Sequence, residues 1–379
     1  MVDSSTIPGW DSPEARELLE RHNPVQVIFP NDLPNLSRPG TPSILRNQRW
    51  GDYHSCSAED FLAQVVQLPS PRPFRLGDLL TEGHGILRVI SNLLGQTKEI
   101  DHPTGLPELR ARMATTATEA MNAWELDLAA IPSQDAQGAW KAYLAIIGKN
   151  PQAPVVYGRV VRTSDGTALQ YWYLYLYNDF KNKHEGDWEM VTVALDETLS
   201  PSGVAVSAHH GGSFRPWSEV QRAGDAGLRP VVYVAKGSHA NYFHHERGGY
   251  ELIAAEFKER MHPPKYLGWL SKLIVWATKG LHWRDSPPAD PETVNDDVPA
   301  REIGIRLSPT VRPMPDPADV DALPPEWWWL KYRGIWGSRH TRVLDTVGPD
   351  SPWHAIDGTK WADPAMWVRQ IIALQQNLR

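Results

Sequence analysis

The stretch "YWYLYLYN", residues 171–178, constrains the fold more than any other. Tyr171, Tyr173, Tyr175 and Tyr177 alternate with Trp172, Leu174 and Leu176, and successive strand side chains point to opposite faces. The stretch therefore reads as a strand with tyrosines on one face and Trp and Leu on the other. With "VVYGRVVRT" before it and "SDG" between, it forms the second arm of a hairpin. "WEMVTVAL", "VAVSAHH" and "PVVYVAKG" add further short strands with no helix between them. That pattern predicts an antiparallel β-sandwich core within an α+β chain.

Around this core the texture changes twice. Residues 1–75 are rich in Pro, Asn and Ser and read as a segment that wraps the core, with "PVQVIFP" as an edge strand bounded by prolines. Residues 76–150 read as a helical insertion, because "GILRVISNLLG" and "LPELRARMATTATEAMNAWELDLAAI" repeat apolar residues at helical spacing. Residues 151–379 hold the sandwich and a loop-rich, Trp-rich C-terminal part. Within it, "KYLGWLSKLIVWATKGLHW" carries a broad apolar face, Tyr266 to Ala277, too short and interrupted to span a bilayer. The 33 prolines and 17 tryptophans among 379 residues fit such a loop-rich chain better than a helical bundle.

"HEGDWE", residues 184–189, opens the apolar strand "MVTVAL". Asp187 and Glu189 lie two apart and share a face, with Cα atoms about 6.5 Å apart. His184 precedes them and Gly186 frees the backbone between. Asp179 enters from the end of the tyrosine strand. Carboxylates crowded this way raise one another's pKa unless something positive sits among them. Two or three carboxylates with one imidazole suit Ca²⁺, Mg²⁺ or Mn²⁺ better than structural zinc. The alternative is a surface loop whose acids pair with Lys181, Lys183 or an arginine. "SAHHGG" and "AKGSHANYFHH" bring strand-end histidines. Of these, His209 and His239 are the candidates for moving a proton or orienting a ligand, against the reading of hydrogen-bonded packing residues.

In these residues the chain resembles the vacuolar protein sorting-associated protein 62 family. The matching stretches are "YWYLYLYN", "HEGDWEMVTVAL", "VSAHHGG", "PVVYVAKGSHANYF", "GIWG" and "GPDSP" followed by "KWADP", in that order. "LLERHNPVQVIFPNDLP" and "DYHSCSAEDFL" look more loosely like the family's opening. More distantly, His184, Asp187, Trp188 and Glu189 are similar to the D-W-E heptapeptide of the necrosis- and ethylene-inducing toxin-like proteins. That resemblance implies a divalent cation held by His184, Asp187 and Glu189, with Asp179 or, if the register slips, Asn178 joining them, at one end of a β-sandwich, and contact with a membrane lipid headgroup. Glu185 and Gly186 stand where those toxins have arginine and histidine.

A net charge of -7 gives no general attraction for phosphate backbones, so nucleic acid is not an expected partner. The lone Cys56 excludes an intrachain disulfide, and "MVDSSTIPGWDSPEAR" lacks the basic start and apolar run of an export signal. The expected setting is the cytoplasm. Three readings remain open on the sequence: a metal-containing sandwich that binds a small polar ligand or lipid headgroup, with peripheral membrane contact; a metal-assisted enzyme of hydrolase, lyase or cyclase type whose pocket the helical insertion roofs; or a purely structural metal that staples a loop, with another protein as partner.

Overall fold

The fold comes from a computed structural model that describes residues 9–28, 53–67, 106–117, 121, 125–128, 139–140, 142–144, 154–178, 184–208, 211–235, 237–243, 305–316, 323–337, 348–354 and 359–377. Helix α1 (Pro13–Arg21) starts on Ser12, whose hydroxyl accepts from the Ala15 amide at 3.1 Å, with Pro13 in the first turn. It feeds strand β1 (Val25–Ile28). Ser57 caps α2 (Ala58–Leu62) through the Asp60 amide at 3.0 Å, and β2 (Val65–Gln67) follows. Next come α3 (Leu106–Thr115) and β3 (Glu125–Leu128).

Most of the sheet structure then arrives in one run. It comprises β4 (Val155–Thr163), β5 (Gly166–Asn178), β6 (His184–Leu195), β7 (Pro201–Ala208), β8 (Gly211–Pro216), β9 (Arg222–Ala223), β10 (Arg229–Val234) and β11 (Asn241–Tyr242). Strands β12 (Ile305–Leu307), β13 (Thr310–Pro313) and β14 (Ile335–Trp336), then helices α4 (Thr359–Ala362) and α5 (Pro364–Asn377), complete the chain.

The tyrosine strand β5 sits inside a six-stranded sheet of order β13-β4-β5-β6-β7-β8. A second sheet runs β11-β10-β1-β12 with β9 on β10, and β14-β3-β2 form a small third sheet. The sheets are mixed, not purely antiparallel: β1 runs parallel to β10, β13 to β4 and β14 to β3. Each parallel pair joins segments far apart in sequence, which no hairpin pattern reveals. Strand β1 is also interior, between β10 and β12, and not an edge. The preceding Pro24 stands outside the ladder and so removes no ladder donor.

Both faces of β5 are covered. On the tyrosine side, the Gln26 side-chain amide of β1 donates to the Tyr175 hydroxyl at 2.9 Å. The Tyr171 hydroxyl donates to the Leu19 carbonyl at 2.9 Å. Val232 and Val234 of β10 join the same apolar cluster as these tyrosines. On the other side, Trp172 meets Trp361 with ring centroids 5.6 Å apart. Arg159 lies 3.6 Å over the Trp361 ring and pairs with Asp316 at 2.6 Å. The Trp-rich C-terminal segments thus cover one face of the six-stranded sheet, and α5 lies close over Gly212 of β8.

Among the described residues of 106–131, the helical reading holds for α3, whereas Glu125–Leu128 is a strand paired with β2 and β14. "ELDL" has good helix formers, but tertiary pairing outweighs a propensity of tenths of a kcal/mol per residue. The segments "GILRVISNLLG" and Tyr266 to Ala277 lie outside the described residues. Among the described residues, no helix is long and apolar enough to cross a membrane.

Candidate functional site

Register fixes the site. Across the β5–β6 pair, Tyr173 faces Glu189, Tyr175 faces Asp187, and Asn178 faces His184. Cross-strand partners share a face, so both carboxylates stand on the tyrosine side, between the two large sheets. They are 7% and 3% exposed. Trp188 takes the opposite side, against the rings of Tyr157, Trp329, Trp336 and Trp353.

Gly186 makes this geometry feasible. Its φ of +63° is left-handed, and a Cβ there would come closer than 3.0 Å to the Trp336 carbonyl oxygen. Gly337 and Gly348 answer from the other side, where a Cβ would crowd the Glu185 carbonyl oxygen. The "GIWG" and "GPD" segments therefore press backbone to backbone on the "HEGDW" motif.

Four polar side chains of the motif have defined partners. The His184 Nδ1 donates to the Gly186 carbonyl at 2.7 Å, so Nδ1 carries a proton. His184 is the first residue of β6, not a residue of the connecting loop. Asp187 Oδ2 accepts from His239 Nδ1 at 3.0 Å. The His239 ring is stacked on Tyr175, centroids 4.0 Å apart and planes 6° from parallel. His239 holds a left-handed φ of +56° in the turn between β10 and β11, where strain of this kind costs about 1–3 kcal/mol. Glu189 Oε2 accepts from the Ser207 hydroxyl, which itself accepts from the Met190 amide at 2.7 Å. The third acid, Glu185, accepts from the Leu128 amide at 3.1 Å and so ties β3 to β6.

Of the residues singled out from sequence, Asp187 and His239 meet through a hydrogen bond, Glu189 lies on the same strand face as Asp187, and His184 opens β6. Asp179 and His209 lie outside the described residues. Three groups were missed: the Asn241 side chain, the Ser238 hydroxyl and the Tyr173 hydroxyl are buried and have no hydrogen-bond partner. Burial pushes the Tyr173 phenol well above its ordinary range. "SHANYF" carried a weak signal for the first two, because Ser and Asn beside Gly237 read as turn residues.

The donors present are of the right kind for a hard divalent cation: carboxylate oxygens, one imidazole nitrogen and a buried amide with neither end satisfied. In number they are incomplete, since among the described residues no three His, Cys, Asp or Glu side chains converge as an ion-holding group.

No protein-family model and no curated protein matches the chain. Among solved structures it is similar to necrosis and ethylene inducing protein 2 from the causal agent of cocoa's Witches Broom disease. The identity is 24% over 28% of this chain and 56% of that one, with a TM-score of 0.21. It is also similar to NLPPya in complex with glucosamine, at 21% over 24% of this chain and 45% of that one, TM-score 0.22. Non-toxic HaNLP3 gives 21% over 25% and 47%, TM-score 0.22. The chain spans about half the length of these structures. Overlaps of this size assign it neither a shared fold nor a ligand.

Proposed function

We propose that this protein is a divalent-metal-containing β-sandwich that binds a polar ligand or lipid headgroup, as the resemblance of His184, Asp187, Trp188 and Glu189 to the toxin-like proteins implies. One observation carries the reading: Asp187 and Glu189 are buried on one strand face, and the partner of Asp187 is an imidazole rather than a lysine or arginine. Two charges at strand spacing repel by roughly 2.5 kcal/mol at an effective dielectric near 20. Each also carries an effective desolvation penalty of several kcal/mol. A divalent cation offsets both terms and, when bound, polarises a ligand oxygen. Asp187, Glu189 and His184 Nε2 would hold it, with Asp179 as a fourth ligand. Hydrogen bonds from His239 and Ser207 fix the orientation of the two carboxylates, as outer partners do in metal centres. Calcium is the first choice, with magnesium or manganese as alternatives, and the cytoplasm is the proposed setting.

Elemental analysis of the purified protein tests this, together with melting curves in Ca²⁺, Mg²⁺ and Mn²⁺. Wild type should retain a stoichiometric divalent ion or melt higher when one is added, by about 2.7 kcal/mol of stability at 100 times Kd. Asp187→Asn and Glu189→Gln should lose most of that gain. A wild type with no ion and no response to any of the three metals overturns the reading.

A second reading rests on the Asp187–His239 pair. A carboxylate on Nδ1 and a tyrosine under the ring hold the imidazole as an acid–base group is held. That arrangement favours an enzyme acting on a small molecule. A screen of hydrolase, lyase and cyclase substrates, with His239→Gln beside wild type, checks it. Turnover by both proteins, or by neither, removes the pair from chemistry.

A further inference from the structure

The side chain of Asn241 is fully buried, and neither its oxygen nor its nitrogen has a partner. Native chains leave few buried polar groups in that condition, and each one calls for an explanation. Its position supplies one. Asn241 pairs with Val234 across β10–β11, so the two side chains share a face of the second sheet. Val234 belongs to the apolar cluster shared with the tyrosine strand, whereas Tyr233 and Tyr242 belong to the separate cluster on the other face. The amide therefore looks toward the six-stranded sheet. Strand β11 lies against β6 and β7, and His239, two residues earlier, donates to Asp187. The orphan amide is thus aimed at the end of β6 that carries the two carboxylates.

We infer that Asn241 is an oxygen ligand of the cation centre, with Oδ1 turned to the ion and the Ser238 hydroxyl beside it available to a bound water. This rests on the cation reading above and extends it. An amide side chain with no internal partner has no preferred flip, so the ion selects the oxygen. The inference also sets the preference among metals. Calcium takes six to eight oxygens, side-chain amides among them, whereas magnesium keeps most of its waters and uses one or two carboxylates. With Asn241 added to Asp187 and Glu189, the centre should favour Ca²⁺.

Asn241→Leu and Asn241→Asp, titrated with Ca²⁺ and with Tb³⁺ sensitised by the nearby tyrosines, test this. Leucine has a similar volume and removes the orphan, so the metal-free Asn241→Leu protein should melt no lower than wild type. Its Ca²⁺ affinity should fall at least about tenfold, the lower end of the losses seen even for groups one shell out from a metal. Asn241→Asp should bind Ca²⁺ and Tb³⁺ more tightly than wild type, and this decides the matter should the leucine variant not fold. Wild type binding Ca²⁺ while either variant binds with unchanged affinity overturns the role of Asn241 and leaves the centre standing. A leucine variant that folds but melts well below wild type without metal overturns the premise of an orphan. Wild type that binds none of the metals takes down the centre itself.

Discussion

Replacing Gly186 by alanine should be among the most damaging single-methyl changes in this chain, and the structure says how much of the damage is backbone and how much is contact. At φ +63° an L-residue costs about 1–2 kcal/mol over glycine. The added Cβ would also come inside 3.0 Å of the Trp336 carbonyl, which is backbone and cannot swing aside as a side chain can. Moving β14 away is over-packing, worth about 1–3 kcal/mol. The two together give about 2–5 kcal/mol, a large share of a typical stability of 5–15 kcal/mol. Gly227 is the control: its φ is +61° and a Cβ there meets nothing within 4 Å, so Gly227→Ala carries the backbone cost alone. Urea unfolding followed by tryptophan fluorescence measures both, with Trp188 and Trp336 in edge contact at 5.4 Å reporting on the site. Equal losses for Gly186→Ala and Gly227→Ala would show that β14 yields freely, and would refute the claim that this backbone approach holds the motif in place.

Two further outcomes are expected elsewhere. Arg159→Ala removes a buried guanidinium that pairs with Asp316, bonds Gln170 at 2.9 Å and the Trp361 carbonyl at 3.1 Å, and lies over the Trp361 ring. It should cost about 1–3 kcal/mol in urea unfolding, because the buried acceptors of Gln170 and Trp361 lose their donor while Asp316 stays exposed to water, and Arg159→Lys should recover little, because an ammonium cannot stack and fork together. His22 is held below its ordinary 6.5 by burial, partly opposed by the Leu228 carbonyl and aided by the Arg21 charge. The unfolded chain therefore binds the proton first, so stability is full above pH 6.5 and falls as pH drops through the folded value. His22→Gln should flatten the melting temperature in that window, and an unchanged slope would refute the assignment.

What the sequence made legible follows the reach of its patterns. Period-two alternation placed Tyr171 to Tyr177 on one face, put Asp187 and Glu189 on a common face, and sent Trp188 to the other. All three are local statements about one strand, and the register bears them out. The parallel pairing of Val25–Ile28 with Arg229–Val234 joins segments about 200 residues apart, and nothing within either one announces the other. The strand Glu125–Leu128 sits in a run of helix formers and is decided by Val65 and Ile335, its partners from two other parts of the chain.

The site divides along the same line. His184, Asp187 and Glu189 carry charge or an imidazole at a spacing that chemistry recognises, so they stand out before any fold is known. His239 stood out by type, but its role did not, because the bond to Asp187 depends on a turn that folds over β6 from the second sheet. Asn241 did not stand out at all. An asparagine between Ala240 and Tyr242 is an ordinary turn residue until the fold buries it without a partner. The motif residues declare a charge that must be offset, while the orphan amide declares an oxygen that must be used, and only the fold places these two deficits at the same end of one strand. The cation proposed above would remove both at once, whereas neither a surface loop nor a packing histidine accounts for the amide.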